Sequence, residues 1–263
     1  MEAQKPLVTG GTGTLGRRVI ERLSAEGREA RVMSRSGRSG TVKGDLLTGE
    51  GIGMAVRGVD KIIHLASSPK KTWRADVGGT EHLLQEAAAA GVNHVIYISI
   101  VGVDRNPFYY YQIKRCAERV VERSPVPWII LRSTQFHDLI LRAVGILDRS
   151  SLVLPVPKGF LFQPIDTGEV AHRLVELALS SPAGRAPDVG GPEARTAGSL
   201  ANAYLGSIRR QKRIAEVPVP GRAARAFREG AQVAPGSAWG ATTWEEFLGE
   251  RFKQVADARG TKV

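Results

Sequence analysis

Val8-Thr9-Gly10-Gly11-Thr12-Gly13-Thr14-Leu15-Gly16 stands between a short apolar run, Pro6-Leu7-Val8, and a segment of helical period carrying Leu15, Val19, Ile20 and Leu23. Glycines 11, 13 and 16 fit the spacing G-x-G-x-x-G, and 10, 13 and 16 also fit G-x-x-G-x-x-G. In such a turn one glycine makes the bend, one lets backbone approach a pyrophosphate, and one lets the helix close onto the strand. The helix start beyond them presents unpaired N–H groups and the positive end of its dipole to an anion. A glycine-rich strand–helix turn can also be purely structural. Set between strand and helix, Thr9–Gly16 reads as a dinucleotide cradle.

Outward from the cradle, strand and helix alternate. Ala30–Ser34 reads as a second strand. A carboxylate that would hold a ribose 2′-hydroxyl is expected near its end, about 20 residues past the glycines. The chain has Ser34-Arg35-Ser36-Gly37-Arg38 there instead. A guanidinium grips a 2′-phosphate that a carboxylate would repel, so Arg35, with Arg17 from the helix side, points to NADP(H) over NAD(H). Thr41–Asp45 resembles a third strand, with Asp45 placed either to accept from an adenine amino group or to cap the helix that follows. Lys61–Ala66, His94–Ser99 and Pro127–Arg132 are continuous apolar strands, as a sheet covered on both faces requires. Helices are expected over Asp76–Gly91 and from about Phe108 to Glu122. The pattern predicts an α/β fold, a Rossmann-type doubly wound parallel sheet over 1–133. Residues 134–263, richer in Pro and Gly, read as a smaller C-terminal substrate portion that does not fold independently, with helices near 167–180, 197–209 and 242–257.

The 263 residues are 42% hydrophobic and 24% charged, ordinary proportions for a globular chain. No apolar run approaches the roughly 18 residues of a membrane span. Met-Glu-Ala-Gln-Lys-Pro passes straight into the first strand, which argues against a signal peptide. With Cys116 the single cysteine, a cytoplasmic location is the expectation. The net charge of +11 comes from arginines spread along the whole chain rather than a dense basic run. That distribution suits attraction of a phosphorylated cofactor better than nucleic-acid binding. The five histidines lie at no metal-ligand spacing, so no metal site is expected.

Tyr110 and Lys114 stand four apart on the helix after the fifth strand, on one face, where their side chains can meet. Tyrosine, with a free pKa of about 10, needs help to exchange protons at neutral pH, and a neighbouring ammonium gives it. Ser99, at the end of the fifth strand, could bond the same oxygen. An aromatic run at a helix start can also serve packing alone. Phe136 and His137 follow the sixth strand where a substrate pocket is expected; His137 could orient a substrate oxygen or satisfy loop backbone. Trp73 and Trp128 read as core or sheet cover.

Thr9–Gly16, Gly44-Asp45-Leu46, His64-Leu65-Ala66, Asp76-Val-Gly-Gly-Thr, Tyr97-Ile-Ser-Ile-Val-Gly and Tyr110-x-x-x-Lys114 together resemble an atypical short-chain dehydrogenase/reductase of the NmrA-like, NAD(P)H-binding group. The resemblance extends into Leu131–Asp138 and Phe162–Asp166. It implies NADP(H) held by Thr9–Arg17, Ser34, Arg35, Asp45, Leu46, Leu65 and Ala66, with Tyr110 as acid–base residue and Lys114 also on the nicotinamide ribose. The implied reaction is hydride transfer between the nicotinamide and a carbonyl-like or quinone-like small molecule. Two departures stand out. Val101 and Gly102 occupy the place where sugar-modifying members carry the assisting serine or threonine, which counts against Ser99 as the third catalytic member. The Ser99–Tyr110 interval is also shorter than in those members, which argues against nucleotide-sugar epimerisation. Some NmrA-like relatives lack the tyrosine and bind dinucleotide as redox sensors, the alternative expectation here.

Overall fold

The computed structural model describes residues 5–38, 40–67, 73–149 and 152–260. Its chain order opens β1 (Leu7–Thr9), α1 (Thr14–Ala25), β2 (Arg31–Ser34), β3 (Thr41–Lys43), α2 (Ile52–Val56) and β4 (Lys61–His64). There follow a π-helical segment (Trp73–Gly78) running into α3 (Gly79–Ala89), then β5 (His94–Ile100), α4 (Tyr109–Glu122) and β6 (Trp128–Ser133). The later chain gives α5 (His137–Leu147), β7 (Val153–Pro157), β8 (Leu161–Phe162), α6 (Thr167–Leu179) and β9 (Gly184–Arg185). It closes with β10 (Arg195–Thr196), α7 (Ala197–Ser207), β11 (Arg213–Val217), α8 (Arg222–Arg228) and α9 (Trp244–Gly260).

The chain divides into two compact units, Met1–Asp104 with Phe108–Arg132 and Thr167–Asp188 forming one, and Arg105–Pro107, Ser133–Asp166 and Val189–Val263 the other. In the first, seven strands lie in the order β3-β2-β1-β4-β5-β6-β9. The β1–β2, β1–β4, β2–β3, β4–β5 and β6–β9 pairs are parallel, with Thr9 in register with Met33 on one side and His64 on the other. The order reverses at β1, which places a crevice at the carboxyl ends of β1 and β4. Leu7, Ile62, Val95, Tyr97 and Ile130 face the core that α2, α3 and α4 close with Ile52, Leu83, Ala117 and Val121. α1 and α6 pack on each other, and α6 lies on β4 and β5, covering the other face. This is the doubly wound, Rossmann-type sheet that the alternating apolar strands imply.

Thr167–Asp188, late in the chain, belongs to the first unit, where α6 covers one sheet face and β9 extends the sheet edge. Trp73, read as core or cover, is 54% exposed, whereas Trp128 packs against the core.

The second unit has its own buried cluster, with Ile140 and Val144 of α5, Leu154 of β7, Leu200 and Tyr204 of α7 and Trp244 of α9. β7 pairs in parallel with β11, and β8 antiparallel with β10. Gln163 knits it together: its amide donates to Gly191 O (2.8 Å) and Ala234 O (3.3 Å) and accepts from Ala234 N (2.7 Å). Among the described residues, no helix is long and apolar enough to cross a membrane.

Candidate active site

The cradle is shaped by what each glycine would strike if it carried a Cβ. Gly10 has φ +69°, and a Cβ there would lie 2.8 Å from Ala66 Cα, so the loop after β1 rests directly on the loop after β4. At Gly16 a Cβ would come within 2.2 Å of Gly10 O and 2.6 Å of Gly11 Cα, so this glycine closes the helix onto its own loop. Gly13 differs. Its Cβ would meet only Gly10 O, at 3.2 Å, and Thr12, Gly13 and Thr14 are exposed. The protein's packing therefore leaves a glycine-sized gap over Gly13, at the start of a twelve-residue helix with no side-chain cap and no acidic residue in its first turn. An uncapped positive helix end under open backbone fits a pyrophosphate.

A buried hydrogen-bond chain fixes the cradle's floor. Thr9 Oγ1 accepts from Leu65 N and Ala66 N (3.3 Å each), which leaves its own hydrogen for His64 Nδ1 at 2.6 Å. His64 Nε2 then donates to Thr80 Oγ1 (3.0 Å), whose hydroxyl donates to the Asp76 carbonyl (2.5 Å). Donor counting thus selects the neutral, Nε2-protonated tautomer. Burial, seconded by the Lys114 charge, holds the His64 pKa down to about 3.

The remaining cofactor candidates take distinct places. Arg17 folds back so that Nη1 donates to Thr12 O at 2.9 Å. Ser34 Oγ is tied to Thr41 Oγ1 (3.0 Å) and Ser36 Oγ (3.3 Å), leaving Arg35 and Arg38 exposed on the turn after β2. Lys43 passes beneath that turn, its Cβ 3.0 Å from where Gly37 would carry one, and pairs with Glu50 at 2.8 Å. Asp45 Oδ1 accepts from Leu47 N at 2.8 Å, shaping its own turn, while α2 has Gly51 as its N-terminal cap residue. Leu46 is buried and Leu65 and Ala66 are half-buried beside the glycines.

The Tyr110 hydroxyl lies 2.9 Å from Ser67 Oγ. Lys114, 3% exposed, donates from Nζ to Tyr97 Oη at 2.6 Å and to Ile98 O at 2.8 Å, and its ammonium lies 4.1 Å from the centre of the Tyr97 ring. Ser99, on the same strand face as Tyr97 by the two-residue period of β5, is 2% exposed, and its Oγ has no hydrogen-bond partner among the described residues. The structure therefore brings Ser67 to Tyr110 and Tyr97 to Lys114. Burial pushes the Lys114 pKa down to about 8, against the pull of Asp76 and Glu118. Burial and Asp76 raise the Tyr110 phenol above its ordinary value, with Ser67 opposing, so Tyr110 is held protonated near neutral pH. Glu118 forms a bidentate buried pair with Arg132, both bonds 2.7 Å, which ties α4 to β6.

Phe136 occupies the N-cap position of α5, and His137 is the helix's first residue, 1% exposed. The imidazole stacks on Phe247 (4.9 Å) and Trp244 (5.6 Å), and Nε2 bonds Thr242 O at 3.1 Å. That environment is the backbone-satisfying alternative rather than a substrate-facing one. His64, Asp76 and Tyr97 stand in the motifs that carry the family resemblance, but their contacts with Thr9, Thr80 and Lys114, and that of Ser67 with Tyr110, are visible only in the fold.

An uncapped glycine cradle at the sheet's reversal point is the geometry of a dinucleotide-binding fold. A family model described as NAD(P)H-binding matches residues 10–150. The chain is 30% identical over 207 residues, 73% of its length and 69% of the other's, to a (4-alkanoyl-5-oxo-2,5-dihydrofuran-3-yl)methyl phosphate reductase of Streptomyces griseus. Among solved structures it resembles an NADPH-dependent quinone oxidoreductase of Escherichia coli in complex with NADPH (TM-score 0.79, 17% identity, covering 94% of this chain and 99% of that one). It also resembles a short-chain dehydrogenase/reductase superfamily protein of Agrobacterium tumefaciens with bound NAD (TM-score 0.72, 20% identity, 97% and 99% covered). The chain belongs to the NAD(P)H-binding family, and its fold is that of the short-chain dehydrogenase/reductase structures it resembles.

Proposed function

We propose that this chain is an NADP(H)-dependent reductase that delivers hydride to a carbonyl-like or quinone-like small molecule, with Tyr110 supplying the proton. The observation that carries this reading is the half-buried Tyr110 phenol, bonded to Ser67 and kept protonated by burial, on the unit that holds the glycine cradle. The bound cofactor supplies the hydride. Gly13 and the first turn of α1 take the pyrophosphate, Leu65 and Ala66 form the floor beneath it, and Arg35 takes the 2′-phosphate. Tyr110 gives its proton to the acceptor oxygen as negative charge develops there, and Ser67 holds the phenol's orientation. Lys114 adds a buried positive charge one helical turn away, and we assign it the nicotinamide ribose. The second unit is the carrier of acceptor selectivity, and the protein works in the cytoplasm.

One observation favours a second reading. The Lys114 ammonium is spent on Tyr97 and Ile98 O rather than on Tyr110, an arrangement compatible with a dinucleotide-binding redox sensor. NADPH oxidation against quinones, ketones and enones separates the two. Turnover with at least one class supports the reductase; tight NADPH binding with no turnover across the panel supports the sensor.

A further inference from the structure

We infer that Tyr97 is a positioning residue for Lys114, its hydroxyl and ring together fixing the ammonium between β5 and α4. The inference rests on the proposed reading only in taking Lys114 as a working residue. Tyr97 is 1% exposed and sits in the middle of the sheet's main core, where a phenylalanine would satisfy every packing demand. A buried phenol must find a partner. Here it accepts from Nζ at 2.6 Å while the ring face lies 4.1 Å from the same nitrogen, so one side chain binds the ammonium twice. Ile98 O, the next residue's carbonyl, takes a second hydrogen at 2.8 Å. Two of the three ammonium donors are thereby committed to consecutive residues of β5, a strand buried over all but its last residue, and one is left for a third acceptor. A lysine side chain otherwise has wide rotamer freedom, and these contacts remove it.

The charged and titratable groups facing Lys114 are Asp76 from the π-helical segment, Glu118 from its own helix, and His64 and Tyr97 from the sheet. Because Tyr97 accepts a hydrogen from the charged form, removing its hydroxyl disfavours that form.

The test is Tyr97→Phe, which keeps the ring and deletes the hydroxyl. Heteronuclear NMR of the 13C/15N-labelled lysine side chains in the cofactor-free protein across pH, with the Lys114 signal assigned by its loss in Lys114→Met, reports the Lys114 titration without any turnover. The inference predicts a downward move of about half a unit or more in Tyr97→Phe. It also predicts a fall in kcat of about tenfold in the wild-type background and none in Lys114→Met. Val121→Ala, a core truncation on α4, serves as control and leaves both readouts unchanged. An unmoved Lys114 titration overturns the inference, as does an equal kcat loss in the wild-type and Lys114→Met backgrounds. If Tyr97→Phe does not fold, Tyr97→Met deletes the hydroxyl with a side chain flexible enough to refill the space, and the same shift is expected. If no acceptor is turned over, or Tyr110→Phe is fully active, the proposed function fails on its own, and the titration still decides the role of Tyr97.

Discussion

Gly13 and Gly16 separate two uses of the same residue type. At Gly16 an added methyl lies 2.2 Å from Gly10 O, so Gly16→Ala must move backbone; a loss of about 1–3 kcal/mol in denaturant unfolding is expected, with binding lost alongside. At Gly13 the nearest protein atom is 3.2 Å away, so Gly13→Ala costs less than about 1 kcal/mol of stability. The methyl instead fills the space assigned to the pyrophosphate, and NADPH affinity by titration calorimetry should fall by about tenfold or more. Unchanged affinity in Gly13→Ala contradicts the cradle assignment. Arg35 is the second residue-scale test. A guanidinium–phosphate bond is worth about 1.5–3 kcal/mol, so Arg35→Ala should weaken NADPH by about ten- to a hundredfold and leave NADH nearly unaffected. Equal losses for the two cofactors refute the 2′-phosphate role. Both glycine and arginine were legible in sequence because local spacing alone dictates a loop's backbone and the charge after a strand. The contact of Tyr97 was not, since its partner lies 17 residues away and is met only when α4 folds over β5.

At the scale of elements, the Thr9–His64–Thr80–Asp76 chain joins β1, β4, the π-helical turn and α3 beneath the cradle. It is neutral only while His64 is unprotonated. The His64 pKa falls from 6.5 in the unfolded chain to about 3 in the fold. Between those values the unfolded chain binds the extra proton, so stability rises with pH through the window. The contribution is present in full above 6.5 and is lost as pH falls towards 3, with a slope of up to about 1.4 kcal/mol per pH unit. His64→Gln, a polar side chain without that titration, should remove one proton's worth of slope from unfolding free energies measured between about pH 4 and 7. An identical slope in the variant contradicts the assignment of a neutral, buried His64. The strands and most helices around this chain were readable, since buried parallel strands are continuous apolar runs and helices carry their period. α5 was missed because Phe136-His137-Asp138 looks like a loop until Ile140 and Val144 are seen to be buried one turn apart. Its histidine then serves aromatic packing.

Across the whole molecule, membership of a unit does not follow the order of the sequence. Thr167–Asp188 comes late in the chain yet completes the first unit, because the sheet face beside α1 needs a second helix. A linear reading cannot see that return, whereas the doubly wound sheet itself is written in the alternation of elements. The same asymmetry holds for chemistry. The cofactor's proposed place follows from one contiguous motif, whereas no such motif marks a place for the acceptor, and the second unit is legible only through its own core. What joins the levels is Tyr110, on a helix of the first unit with its phenol held by Ser67. The most direct measurement is NADPH oxidation by Tyr110→Phe with the best acceptor of the panel, run beside NADPH binding. The account predicts affinity within about twofold of the wild type and turnover reduced by about a hundredfold or more. Turnover equal to the wild type would contradict it.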